Sequence, residues 1–334
     1  MLQRVHYAFF GVLMFACFIV AIARFHSSGA AAARSFTQSP LTKCLKFARY
    51  IPSKWESDWL QLSVEREIAI CDLVNKERSN SELWLSGVLH PDQLIFPQSK
   101  NRGDVIDSVW SLYKYHDTCA PKAKVIYVPI EPAVGLLRNP LAAPCNTGSE
   151  ALNVDDRDYL YLAPPDLTND YPGRKLLFDL GTGTSFSSSL SWFVEAYSNK
   201  GVEFDEIWSW EAAETGPHEY WKSVPDEYVS KLHFYNTYAS DEAGPAAPLG
   251  ILHRTFQQGD FVVIKLDIDN EMLESTIMQQ LIHVHHMIGE LFFEKHFDAV
   301  EMRPYFGSLT TSYNDTLQMF NKYRKLGIRL HYWP

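Results

Sequence analysis

Short apolar runs alternate with amphipathic segments throughout the second half of this chain. From residue 173 onward the pattern predicts strands at 175–180, 206–210, 231–238, 261–266, 290–295 and 328–332, and helices at 186–198, 271–288 and 314–326. Strands that alternate with helices favour a mainly parallel sheet. The region 41–172 instead mixes short helical patterns, such as 60–75, with proline-bearing loops. The sequence therefore predicts an α/β domain at 173–334, preceded by an accessory region to which we assign no architecture.

The first predicted strand of this domain ends in a glycine turn. Residues 176–185, LLFDLGTGTS, run from an apolar strand through Asp179 into a turn that contains Gly181 and Gly183. Open α/β sheets bind ligands outside the carboxyl ends of their strands, so this turn is a candidate seat for a nucleotide-like cofactor. The third glycine of the dinucleotide fingerprint and the lysine of a phosphate-binding loop are missing. We expect a cofactor held through its ribose and adenine, with a plain strand-to-helix turn as the alternative.

Acidic side chains follow other predicted strands as well. Glu211 ends the strand in IWSWEA, and Asp267 and Asp269 follow the strand in FVVIKLDIDN. The carboxyl ends of parallel strands meet at one edge of a sheet, so these side chains and Asp179 are predicted to converge on one crevice. There Glu211 can accept hydrogen bonds from both ribose hydroxyls, unless it is simply a solvated residue after an aromatic strand.

The Asp267-Ile268-Asp269 segment has two chemical interpretations. Its carboxylates can hold a divalent cation, as D-x-D does in many sugar-transferring enzymes, or they can orient a substrate hydroxyl. Asp269 or Asn270 is also suited to cap the helix that begins at Glu271. Such capping leaves Asp267 free to face the crevice.

A glutamate and a histidine lie two residues apart in ELFFEKHF. Glu294 and His296 therefore project from the same face of the predicted strand. A histidine beside a carboxylate can act as a general base toward an alcohol, although many histidines only bond to the backbone. His283, His285 and His286 belong to a predicted helix whose apolar positions face the sheet, and we predict surface positions for them rather than a metal site. The sequence contains neither the G-x-S-x-G turn of serine hydrolases nor the H-E-x-x-H helix of zinc proteases.

The N-terminal residues indicate a membrane anchor. Residues 7–23 are apolar and uncharged, and a run of 17 residues between Arg4 and Arg24 suits a thin membrane. We expect a signal anchor at 1–24 and a stalk at 25–40, with a signal peptide cut within 29–33 as the alternative. The body of the protein would then lie in the lumen of the Golgi or endoplasmic reticulum. The formal charge of −10 and the lack of a basic block argue against nucleic acid as a partner.

The cysteines also favour an oxidising compartment. Of the five cysteines, Cys17 lies in the apolar run and four lie in the accessory region. These four are Cys44, Cys71, Cys119 and Cys145. None has C-x-x-C spacing, so we expect two disulfides with three possible connectivities, or else four buried thiols. The sequon Asn314-Asp315-Thr316 is a glycosylation site only if the body is lumenal.

The ordered motifs of the second half resemble those of the FkbM-type S-adenosylmethionine-dependent methyltransferases. The similar segments are FDLGTGTS at 178–185, WEA at 210–212, IKLDIDNEMLE at 264–274 and FEKH at 293–296. The resemblance covers residues 173–334 and implies a doubly wound, mostly parallel, seven-stranded sheet of the Rossmann-like class I methyltransferase type. It also implies that the methyl donor, S-adenosylmethionine, binds at Asp179, Gly181, Gly183 and Glu211. Where the family has Glu-Gly after its signature aspartate, this chain has Asp269-Asn270.

The resemblance implies O-methyl transfer, commonly to sugar hydroxyls. We therefore expect an S-adenosylmethionine-dependent O-methyltransferase whose acceptor is a glycan or another small hydroxylated molecule. In this hypothesis His296 is the base, Glu294 orients it and Asp267 holds the acceptor. Two other functions fit the same residues. One is a metal-dependent glycosyltransferase that uses Asp267-Ile268-Asp269, and the other is a catalytically inactive lumenal adaptor.

Overall fold

The computed structural model describes residues 42–62, 70–89, 109–139, 145 and 155–334. The first sheet along this part of the chain has three antiparallel strands. Its strands, in spatial order, are β1 (Leu45–Ile51), β2 (Ser111–Asp117) and β3 (Lys124–Ile130). Helices α1 (Lys54–Gln61), α2 (Ile70–Lys76) and α3 (Arg78–Leu89) lie between β1 and β2 in sequence, and α4 (Pro165–Thr168) follows β3. The helical pattern predicted at 60–75 thus falls on the end of α1 and most of α2, with residues 63–69 outside the described part.

Two disulfide bonds tie this region together. Cys44 is bonded to Cys119, and Cys71 is bonded to Cys145. The prediction of two disulfides is confirmed, and the structure selects one of the three connectivities. The Cys44–Cys119 bond joins the residue before β1 to a residue just after β2, where the two antiparallel strands end side by side.

A parallel sheet of six strands follows in the second half of the chain. Its strands are β4 (Lys175–Leu180), β5 (Glu206–Trp210), β6 (Leu232–Tyr235), β7 (Phe261–Leu266), β8 (Glu290–Phe293) and β9 (Arg329–Tyr332). The spatial order is β6-β5-β4-β7-β8-β9, with every neighbouring pair parallel. The chain runs outward from β4 to β6, returns to β7 on the other side of β4, and continues outward to β9. This is the doubly wound, Rossmann-like order, and its switch point lies between β4 and β7.

Helices connect the parallel strands and flank the sheet. They are α5 (Leu190–Ser198), α6 (Pro217–Lys222), α7 (Asp226–Val229), α8 (Pro248–Thr255), α9 (Glu271–His283), α10 (Arg303–Phe306) and α11 (Tyr313–Lys325), with a 3₁₀ turn at His285–Met287. The first of them, α5, begins at Leu190 rather than at residue 186. The hydroxyl of Ser185 bonds to those of Ser187 and Ser188 at 2.9 and 3.2 Å, and such local bonds compete with helix formation.

The sheet departs from the seven strands that the family resemblance implies. All six strands predicted from the apolar runs are present, although β6, β8 and β9 are shorter than predicted. Within the described residues no further strand joins the sheet, because β9 pairs directly with β8 and the order ends at β6 and β9. The observed architecture is therefore a six-stranded, wholly parallel α/β sheet.

The two sheets share one buried polar network. The described residues all belong to one compact unit, Ser39–Pro334, with a continuous apolar core. Within it, six charged or titratable side chains are buried together, namely Glu56, Glu131, Glu290, Arg324, Arg329 and His331. His331 on β9 lies 2.6 Å from a carboxylate oxygen of Glu131, just after β3, and 3.0 Å from one of Glu290 on β8. Arg324 lies 3.2 Å from Glu56 and Arg329 lies 2.9 Å from Glu290. Each of these six buried groups thus has an opposite charge in contact, which such burial requires.

The predicted membrane segment at 7–23 lies outside the described residues. Among the helices that the structure does describe, none combines the length and the apolar character that a membrane crossing needs.

Candidate active site

The turn after β4 is in backbone contact with the ends of both neighbouring strands. The N–H groups of Gly181 and Thr182 donate to the carbonyl oxygen of Trp210, at the end of β5, at 3.0 and 2.9 Å. Gly181 has a φ of +85°, and a Cβ added to it would lie 1.5 Å from the carbonyl oxygen of Asp267. Only glycine therefore allows the turns after β4 and β7 to touch at the switch point.

Glu211 binds the second glycine of the turn. One of its carboxylate oxygens accepts a hydrogen bond from the Gly183 N–H at 2.8 Å, and the other accepts one from the Ala213 N–H at 2.6 Å. Each carboxylate oxygen has a second lone pair, so the half-buried Glu211 can still accept bonds from two ligand hydroxyls.

A cavity of about 400 Å³ opens at this point, a size typical of small-molecule sites. Four of the predicted site residues line it, namely Gly181, Gly183, Glu211 and Asp267. Of the other predicted residues, all of them described, Asp179, Glu294 and His296 are not part of the lining. The exposed Tyr238, which follows β6, lies at the rim of the cavity.

Asp179 lies behind the glycine turn rather than in the cavity. Its side chain is fully buried, accepts a hydrogen bond from the Ser189 hydroxyl at 2.5 Å, and lies 3.3 Å from the ammonium of Lys265. Lys265 also lies 2.9 Å from Asp267 and donates to the carbonyl oxygen of Gly181. Burial acts to lower the pKa of Lys265, but the carboxylates of Asp179 and Asp267 outweigh it and raise the pKa. This lysine therefore fixes the ends of β4 and β7 together.

Glu294 and His296 are in contact, just beyond the end of β8. An oxygen of Glu294 lies 3.3 Å from Nε2 of His296, and both side chains are mostly buried. Burial raises the pKa of Glu294 to about 7, against the lowering effect of His296, and the nearby Asp267 adds to the increase. The contact with Glu294 in turn raises the pKa of His296. Arg138, which follows β3, lies 3.5 Å from the same Glu294 oxygen. Glu294 and His296 can exchange a proton near neutral pH.

The acidic side chain of Asp269 joins this pair as a third member. One ligand atom each from Asp269, Glu294 and His296 lies within 4.8 Å of the others. Two ligands on one divalent cation are separated by no more than about this distance, since bonds to the ion are roughly 2.0–2.6 Å long. These residues could therefore hold a cation, whereas Asp267 is paired with Lys265 instead. The side chain of Asn270, not Asp269, caps α9 by accepting from the Leu273 N–H at 3.1 Å.

The other three histidines of interest lie apart from this group. His283 is exposed at the end of α9, and His285 and His286 are half-buried in the following turn. Nδ1 of His285 lies 2.9 Å from the carbonyl oxygen of Ile282. Among the described residues, no set of three metal-ligating side chains includes any of these histidines.

Sequence reasoning missed the cations of the site. Lys265 interrupts an otherwise apolar strand, which is a usable signal in retrospect. Arg138 and Arg157 come from the accessory region, where no motif marks them. Arg157 lines the cavity together with Trp333, which follows β9. The site is thus formed by residues of the parallel sheet together with charged groups from the accessory region.

Comparison with protein-family models, with curated proteins and with solved structures finds no match for this chain.

Proposed function

We propose that this protein is an S-adenosylmethionine-dependent O-methyltransferase of the class I methyltransferase type, related to the FkbM-type enzymes. The observation that carries the proposal is the cavity at the switch point, lined by Gly181, Gly183 and Glu211. Adenosyl ligands of doubly wound sheets bind at this position, with an acidic residue on the ribose hydroxyls. The site also lacks a phosphate-binding lysine after the glycines, in keeping with a donor that carries no phosphate.

In this proposal one end of the site binds the methyl donor and the other binds the acceptor. S-adenosylmethionine, when bound, supplies a methyl group on a positively charged sulfur. Glu211 accepts hydrogen bonds from the ribose hydroxyls while it continues to hold the Gly183 N–H. The ring of Tyr238 at the rim offers an apolar face to the adenine.

The acceptor hydroxyl is assigned to the side of the cavity where Asp269 lies. Asp269 lines the cavity and is also within 4.8 Å of Glu294 and His296, so it belongs to both groups. Glu294 and His296 would take the proton that the acceptor hydroxyl releases when the methyl group passes from the donor sulfur to the hydroxyl oxygen, with S-adenosylhomocysteine as the leaving group. Asp267, held by Lys265, orients the acceptor. The acceptor is a glycan or another hydroxylated small molecule, since the residues present suit an alcohol.

The two disulfides support a location in the secretory pathway. Structural disulfides form in oxidising compartments, and both bonds lie in the body of the protein. We accordingly place the catalytic part in the lumen of the Golgi or endoplasmic reticulum, anchored through the N-terminal segment.

A calorimetric titration of the purified full chain with S-adenosylhomocysteine tests this function. We expect binding to the wild type and a roughly 10- to 100-fold weaker affinity for Glu211→Gln, because bonds to a charged group contribute about 1.5–3 kcal/mol. Glu214→Gln, an exposed neighbour in the same loop, is the matched control and should bind like the wild type. Absence of binding to folded wild type would reject the function.

One observation favours a second candidate, metal-dependent glycosyl transfer. It is the grouping of Asp269, Glu294 and His296 at distances that suit a divalent cation. For this function, manganese together with a nucleoside diphosphate should raise the melting temperature of the full chain, and S-adenosylhomocysteine should not. Thermal shifts measured with both sets of ligands separate the two functions.

A further inference from the structure

Arg157 extends the predicted site from the accessory region. Its guanidinium lies 4.3 Å from the centroid of the Trp333 ring, and both side chains line the cavity together with Gly181 and Asp267. The Trp333 ring is itself buried, lies 5.8 Å from the ammonium of Lys265 on β7, and stacks on Phe193. The stacking fixes the plane of the guanidinium on the β7 side of the cavity.

The guanidinium of Arg157 is not neutralised by a direct ion pair in the described part of the chain. Its Nε atom is buried there without a hydrogen-bond partner, and none of the ion pairs between described residues includes Arg157. Burial lowers the pKa of Arg157 from its usual value, against the opposing charges of Asp155 and, more weakly, Asp267 and Asp179, none of which forms an ion pair with it. Lys265, by contrast, contacts two carboxylates and a carbonyl oxygen. Arg157 is therefore the cation of this cavity with donors left for a ligand.

Glu211 and Arg157 place a negative and a positive charge on different sides of the cavity. Glu211 follows β5 and Lys265 belongs to β7, with β4 between these strands. Two strand spacings separate β5 from β7 by roughly 10 Å. A ligand that fits this polarity has hydroxyls at one end, toward Glu211, and an anionic group at the other, toward Arg157. The fork of a guanidinium matches the two oxygens of a carboxylate.

We infer that Arg157 binds the α-carboxylate of the methionine part of the donor. The inference rests on the proposed function and adds a residue that no motif in the sequence indicates. In this arrangement the accessory region completes the donor site, because the α/β domain at 173–334 brings no other free cation among its described residues into the cavity lining.

Two ligands that differ in the amino-acid part test this inference. S-adenosylhomocysteine carries the carboxylate, and 5′-methylthioadenosine lacks it but keeps the adenosine. Each is titrated calorimetrically into the full chain as wild type, Arg157→Met and Arg157→Lys. Arg49→Met, at an exposed position on β1, is the control for loss of a positive charge.

We expect Arg157→Met to weaken S-adenosylhomocysteine binding roughly 10- to 100-fold and to change the affinity for methylthioadenosine less than about 2-fold. Arg157→Lys should fall between wild type and Arg157→Met. Equal losses for both ligands would show a structural role and overturn the inference, as would no loss for either. If the wild type binds neither ligand, the proposed function fails together with the inference. A nucleoside diphosphate that binds in an Arg157-dependent manner, without S-adenosylhomocysteine binding, would assign the guanidinium to a phosphate instead.

Discussion

Replacing Gly181 by alanine tests the contact on which the site is built. The Cβ of alanine would lie 1.5 Å from the carbonyl oxygen of Asp267, whereas carbon atoms of this kind essentially never come closer than 3.0 Å. The turns after β4 and β7 must therefore move apart by at least about 1.5 Å. The φ of +85° would also place alanine in the left-handed region.

The size of the effect follows from what this movement breaks. The left-handed conformation costs alanine about 1–2 kcal/mol. Separation of the turns also strains the bond from the Asp267 N–H to the Leu180 carbonyl and the bond from Lys265 to Gly181, each worth about 1 kcal/mol or more. We expect the free energy of unfolding to fall by about 3 kcal/mol or more.

Gly201→Ala provides the matched control. Gly201 has a φ of +73°, but a Cβ added there meets nothing within 4 Å, so only the cost of about 1–2 kcal/mol for the backbone conformation remains. Urea unfolding followed by tryptophan fluorescence measures both variants against the wild type. If Gly181→Ala and Gly201→Ala lose stability equally, the two turns are not in contact and the described geometry of the switch point is wrong.

Two further predictions concern the accessory region and the polar network. Replacing Cys44 and Cys119 together by serine should lower the free energy of unfolding by about 4 kcal/mol, because the bond closes a loop across a sequence separation of 75 residues; an unchanged urea midpoint would contradict this. Burial acts to raise the pKa of Glu290, but its bond with His331 and the charge of Arg329 outweigh it and lower the pKa from 4.5 to about 2. The ionised group thus stabilises the fold above pH 4.5, and about 3 kcal/mol should be lost as the pH falls from 4.5 to 2. Unfolding measured across this range should show a shallower pH dependence in Glu290→Gln, and an identical slope would refute the assignment.

Much of the parallel sheet could be predicted because each strand is a continuous apolar run. The run at 261–266 ends where Asp267 begins, and β7 has these bounds in the structure. The convergence of Glu211 and Asp267 on one cavity follows from the same parallel topology. The apolar pattern is less informative at strand ends, so β8 ends at Phe293 and leaves Glu294 and His296 in the segment beyond it.

The direction of individual side chains could not be read from the pattern. Asp179 lies inside β4, where alternate residues point to opposite faces and both faces are buried, so its carboxylate meets Ser189 and Lys265 rather than the cavity. Arg138 and Arg157 reach the site through tertiary packing of a region without regular periodicity. The disulfide connectivity likewise depends on packing, since four cysteines allow three pairings.

A crystal structure of the full chain grown with saturating S-adenosylhomocysteine would show where the donor binds. We expect the ligand in the cavity at the switch point, with both ribose hydroxyls within hydrogen-bonding distance of Glu211 and the backbone of Gly181 and Gly183 against the adenosine. An empty cavity at saturation, or a ligand whose ribose lies away from Glu211, would contradict the proposed donor site.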